Sequence, residues 1–185
     1  MKIIYFLSSN EHKIAEVKSI LNSEDISICE VNKKIKEIQS KDIQEIVMDK
    51  VIKAFEKIGR PILVEQTGLF LMDLGGLPGG LTQIFWDSLN AANFCKYFSN
   101  AGTTKVKATT VLAYCDGKKI STFTGEIDGI IVKEPRGPEL FQWDCIFQPE
   151  GYKETFAEMG QHKNEISMRK IALEAFRKEL ANKND

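Results

Sequence analysis

The chain opens on a continuous apolar run, Ile3–Leu7, which predicts a strand covered on both faces. The polar turn Ser8-Ser9-Asn10 breaks it, and Ile14, Val17, Ile20 and Leu21 then recur at helical spacing, predicting a helix over Glu11–Leu21. Strand, polar turn and helix in that order point backbone N–H groups toward an anion. Ile26–Val31 reads as a second strand. Asp42 opens a second helix with Ile43, Val47, Val51, Ala54, Phe55 and Ile58 on one face, and Gly59 and Pro61 stop it. Ile62–Glu65 is a third strand that ends in a polar group, and the glycine-rich stretch 75–80 is a loop. A helix covers Asn90–Phe98. Lys105–Cys115 and Lys118–Ile127 flank Asp116-Gly117, the signal of a two-residue hairpin, and strand continues over Asp128–Lys133. Arg136-Gly137-Pro138 is a turn, and a last helix runs from Glu165 to Leu180 with Ile171, Ala175 and Phe176 facing inward. The pattern predicts a mixed α/β fold with an antiparallel hairpin and two lobes around a cleft.

Composition narrows the picture. The 185 residues are 43% hydrophobic and 28% charged, ordinary for a globular protein and enough for a single domain, residues 1–185, with an added lobe. A chain of this length buries roughly 70% of its unfolded surface, so a core forms without disulfides or metal. Lys and Arg total 25 against 26 Asp and Glu, a net charge of −1, which excludes a basic nucleic-acid footprint over the whole molecule. No apolar run approaches the roughly 20 residues of a membrane span. The N-terminal run is too short for a signal peptide, and no small-residue cleavage site follows it. Cys29, Cys95, Cys115 and Cys145 form no CxxC pair, and read as reduced structural thiols of a cytoplasmic protein.

Three polar clusters carry the candidate chemistry. Ser8, Asn10 and Lys13 offer a hydroxyl, an amide and an ammonium at a helix start, suited to a polyphosphate, although the same residues also make a helix cap. Glu65-Gln66-Thr67-Gly68 places a carboxylate at a strand end, fit for a metal or phosphate contact or simply exposed in a loop. Phe141-Gln142-Trp143-Asp144, with Lys163 and Arg169 downstream, supplies rings to stack on a base and charges to read its edge; the competing reading is plain core. Together they favour a nucleotide site.

In order and spacing, these segments resemble the inosine triphosphate pyrophosphatase family. The resemblance rests on Ser8-Ser9-Asn10-Glu11-His12-Lys13, Glu65-Gln66-Thr67-Gly68-Leu69 and Leu74-Gly75-Gly76-Leu77-Pro78-Gly79. It extends through the run Phe141–Tyr152, the run Thr155–Met159 and Lys163-Asn164-Glu165-Ile166-Ser167-Met168-Arg169. It implies a long mixed central sheet with flanking helices and a cleft between two lobes. It also implies a Mg²⁺-dependent homodimer that converts inosine, deoxyinosine and xanthosine triphosphates (ITP, dITP and XTP) to the monophosphate plus pyrophosphate. Carried over by motif, Ser8, Asn10, Lys13 and Lys50 would hold phosphates, and Glu37 and Glu65 would help hold Mg²⁺. Thr67 and Gly68 would shape a phosphate turn, Phe141 would stack on the base, and Trp143, Asp144, Lys163 and Arg169 would surround base and sugar. Hypoxanthine offers an acceptor at O6 and a donor at N1, the reverse of adenine. A buried site built for that pattern discriminates on the order of 10⁴-fold.

The sequence departs from the family pattern at three positions. Gln66 stands where the family has the Asp assigned to water activation and metal binding, Met168 replaces a His, and Gln142 replaces a Gly. Gln is neither basic nor a good ligand for a hard cation, and loss of a general base costs about 10²–10⁴ in rate. Met cannot donate a hydrogen bond to the purine oxygen. These changes, beside intact phosphate and base positions, predict a binder with impaired hydrolysis, a nucleotide sensor or regulatory subunit. Some bacterial anti-phage defence systems use a family member to detect dITP and release an NAD-consuming effector partner, and the resemblance extends to that role. The competing expectation is an active Mg²⁺-dependent enzyme with water activated by another carboxylate, such as Glu37 or Asp73.

Overall fold

In the computed structural model, which describes residues 2–23 and 25–182, the first apolar run becomes the inner strand β1 (Lys2–Leu7). It lies between two parallel neighbours, β2 (Ile26–Val31) and β3 (Ile62–Leu71). Beyond β3 the sheet turns antiparallel through β5 (Lys105–Cys115), β6 (Ile120–Ile131) and β7 (Phe147–Pro149). The two-residue strand β4 (Pro78–Gly79) pairs with the far end of β3. The result is a seven-stranded mixed sheet in the order β2-β1-β3-β5-β6-β7.

Helices cover both faces. On one, α2 (Ile43–Ile58) starts where the Asp42 side chain accepts from the Gln44 N–H at 2.8 Å, and ends at Gly59, whose φ of 65° suits glycine. Its buried Val47, Val51 and Ala54 pack on Ile62, Val64, Val111 and Ala113. On the other face, α1 (Glu11–Leu21) and α5 (Met168–Asn182) press Val17, Leu21, Leu173 and Phe176 onto Ile4, Phe6, Leu63 and Leu112. A third cluster fills the far end of the β3–β5–β6 ladder. There α3 (Thr82–Phe98) and the short α4 (Phe156–Met159) bring Phe94 and Phe156 against Leu69, Val106, Trp143 and Phe147. No helix among the described residues is long and apolar enough to cross a membrane.

Several local expectations are corrected. The strand expected to end at Glu65 runs on to Leu71, because Gln66, Thr67 and Gly68 keep their ladder with Val111, Thr110 and Thr109. No phosphate turn therefore exists at Thr67-Gly68. Glycine is required there because a Cβ on Gly68 would sit 2.4 Å from the Gly79 carbonyl oxygen. The hairpin turn spans Asp116–Lys119 rather than two residues, since Cys115 pairs with Ile120 and the Asp116 carboxylate accepts from the N–H groups of Lys118 and Lys119. The helix expected over Asn90–Phe98 is the second half of α3, which bends at Asn90 (φ 57°). Its first half carries Phe85, Trp86 and Leu89 against the third cluster. The last helix begins at Met168, because residues 160–165 tighten into a 3₁₀ turn, and Ile171 faces outward. Gln142–Cys145 is likewise a 3₁₀ turn.

Candidate functional site

The end of β1 delivers Ser8 and Asn10 to the start of α1. The Asn10 N–H donates to Ser8 Oγ at 3.1 Å, and Asn10 Oδ1 accepts from the Lys13 N–H at 3.1 Å, so both side chains organise the helix cap. One turn into α1, Lys13 reaches across to β3 and pairs with Glu65 at 2.9 Å. Arg169, in the first turn of α5, enters the same space. Its Nη2 donates to Glu65 Oε1 at 3.1 Å and its Nε to Glu65 Oε2, while Nη1 donates to Glu16. Ser167 Oγ donates to the other Glu16 oxygen at 3.1 Å, and Thr67 Oγ1 donates to Glu65 Oε1 at 3.2 Å. Arg169, Glu65, Glu16 and Ser167 are all buried, at 2%, 3%, 5% and 2% exposure.

Burial opposes charge in this cluster, and the partners override it. Burial pushes the Glu65 carboxyl upward, yet Arg169 and Lys13 hold it far below the usual carboxylate range. Burial works against the Arg169 cation too, and Glu65 and Glu16 raise its pKa instead. Lys13 is displaced downward, burial outweighing the pull of Glu65.

Alternation along β3 sends Gln66 to the opposite face from Glu65, the face of Val64 and α2. Lys50 of α2 occupies that side. Its Nζ lies 2.6 Å from Glu37 Oε1 and donates to the Glu65 carbonyl oxygen at 3.2 Å. The structure thus brings Glu37 to Lys50, and the two expected metal carboxylates sit on different faces of β3.

At the far side of α1, Phe141 lies under Lys163, with Nζ 4.2 Å from the ring centroid. The His12 ring is 5.3 Å away and the Arg169 guanidinium carbon 5.9 Å. Lys163 also donates to Asp144, whose pKa burial raises against the pull of Lys163. His12, Glu16, Phe141, Asp144 and Lys163 line one cavity of about 1030 Å³. Trp143 and Met168 are buried in the third core cluster, where Trp143 meets Phe147 edge-on at 5.8 Å. Gln142 has φ 43°, a left-handed backbone that glycine adopts more easily, and its amide donates to Gln83 of α3 at 2.6 Å.

Sequence reasoning missed Glu16, Ser167 and Thr110, whose hydroxyl is 2.8 Å from that of Thr67. One signal was available for Glu16: it lies three residues after Lys13, hence on the same helix face.

The Ham1 family model matches residues 4–179. The chain belongs to the Ham1 family. Among its Ham1 relatives, a dITP/XTP pyrophosphatase of Methanopyrus kandleri is 38% identical over 178 residues, covering 95% of this chain and 94% of that protein. Inosine triphosphate pyrophosphatase 1 of Trypanosoma cruzi is 36% identical, covering 94% and 90%. Among solved structures, a HAM1 protein from Coxiella burnetii superposes with a TM-score of 0.83 at 26% identity, covering 98% of this chain and 100% of that one.

The Mg²⁺ expected of a Ham1 enzyme is tested against the donors this chain presents. Both oxygens of Glu65 are taken by cationic side chains, Glu37 is paired with Lys50, and Gln66 is neutral. No three acidic, imidazole or thiol groups converge on a metal position among the described residues. Magnesium asks for hard oxygen donors in near-octahedral array, and this arrangement does not fit it.

Proposed function

We propose that this chain binds deaminated purine nucleoside triphosphates, dITP and ITP foremost and XTP next, and hydrolyses them poorly, so that it serves as a nucleotide sensor or regulatory subunit. The observation that carries the reading is Gln66 on β3: a neutral amide on the α2 side of the strand, the side on which Lys50 pairs with Glu37, while the cations Lys13 and Lys50 remain. Cleavage to monophosphate and pyrophosphate requires a water that loses its proton as it attacks the α-phosphorus and pyrophosphate departs. The Gln66 amide has no basic lone pair to take that proton. In this reading Lys13 and Lys50 meet the phosphates, and Phe141, Asp144 and Lys163, which line the cavity, meet the base. A ligand held without turnover persists as a signal, and a homodimer that hands it to an effector protein belongs to the same reading.

The relatives named as pyrophosphatases favour a second reading, an active pyrophosphohydrolase of the same substrates. Calorimetry with dITP alongside a pyrophosphate-release assay separates the two. The sensor reading expects saturable heat with almost no pyrophosphate, and it expects Gln66→Asp to raise release at least tenfold. Sustained turnover by the unaltered chain at an ordinary enzyme rate, on the order of 10 per second, would end it.

A further inference from the structure

We infer that the site takes its triphosphate as the metal-free polyanion, with Lys13 and Lys50 standing where a divalent cation would otherwise neutralise it. This rests on the nucleotide-binding reading above and specifies the chemical form of its ligand. Each carboxylate at the site already has a cation. Glu65 holds Lys13 and Arg169, Glu37 holds Lys50, and Asp144 holds Lys163. A metal that chelated Glu65 through both oxygens would have to displace Arg169, which Glu16 anchors from its other end at almost complete burial. That exchange would strand a guanidinium charge away from water, a strongly unfavourable outcome. Gln66 adds no anionic oxygen to compensate.

The lysines, by contrast, are free to change partners. The Lys13 and Lys50 side chains are 17% and 12% exposed, and the Glu37 carboxylate that Lys50 now holds is 37% exposed. A phosphate oxygen that captured Lys50 would release Glu37 to solvent at little cost. A triphosphate without its metal carries two more negative charges than its Mg²⁺ complex, so it gains more from that exchange.

Two measurements on the full chain test this. The first titrates Mn²⁺ alone, read by its paramagnetic resonance signal: no saturable site is expected in the unaltered chain, and Gln66→Asp should create one. A saturable Mn²⁺ site in the unaltered chain overturns the inference. The second measures dITP affinity by calorimetry in EDTA and then in excess Mg²⁺. Affinity should be retained in EDTA and should weaken with Mg²⁺ by the fraction of nucleotide sequestered, about tenfold when nine-tenths is complexed. Binding that requires Mg²⁺ overturns this inference and leaves the nucleotide reading standing. Binding in neither condition overturns both.

Discussion

Arg169 balances buried charge, since one guanidinium compensates two buried carboxylates. Arg169→Met should therefore cost about 3–5 kcal/mol, the usual penalty for stranding a buried charge, measured as a shift in the urea midpoint at pH 7. The same group fixes a pH dependence. The folded Glu65 pKa lies below the ordinary 4.5, so the unfolded chain binds more protons as pH falls. The stability this contributes is complete above the unfolded value and is lost as pH drops toward the folded one. Urea midpoints measured from pH 7 to pH 3 should fall, and Arg169→Met should shrink that fall because Glu65 loses its largest stabilising partner. Glu65, Lys13 and Arg169 were legible in the sequence because each sits inside a recognisable motif. Glu16 was not, because a glutamate on an amphipathic helix looks like surface and its partner lies 153 residues away.

Among the elements, the approach of α5 to β6 decides where Arg169 stands. A Cβ on Gly125 of β6 would lie 1.9 Å from the Met168 carbonyl oxygen and 2.7 Å from the Ala172 nitrogen. Gly125→Ala must therefore push the first turn of α5 outward and draw Arg169 off Glu65. The expected loss is about 1–3 kcal/mol from overpacking, visible as a lower melting temperature, with dITP affinity falling in parallel. Apolar spacing revealed α1, α2 and most of α5 because their faces are regular. It failed for β3, where the polar run Glu65–Thr67 imitates a strand end and only pairing with β5 keeps the chain extended. The first half of α3 was hidden for a related reason, since the bend at Asn90 breaks its helical period.

For the molecule as a whole, the mixed α/β class could be read from the chain, but the strand order could not. Placing β5 beside β3 joins residues such as Ile62 and Cys115, and nothing local encodes that pairing. The three core clusters lie on different parts of the sheet, which makes them separable in stability. Phe94→Ala should cost about 3–5 kcal/mol and should speed amide exchange first around Trp143, Cys145, Ile146 and Phe147, which share its cluster, while β1 and β2 stay protected. Uniform acceleration across the sheet would show instead that the clusters unfold as one.

Glu65 and Gln66 are neighbours in the chain, yet the pleat of β3 turns them to opposite sides of the sheet. The buried ion network and the residue at position 66 are thereby separately heritable. On the function proposed above, a lineage could lose or regain the proton acceptor at one position without disturbing the buried ion network, and so move between destroying a nucleotide and reporting it while the protein keeps its shape.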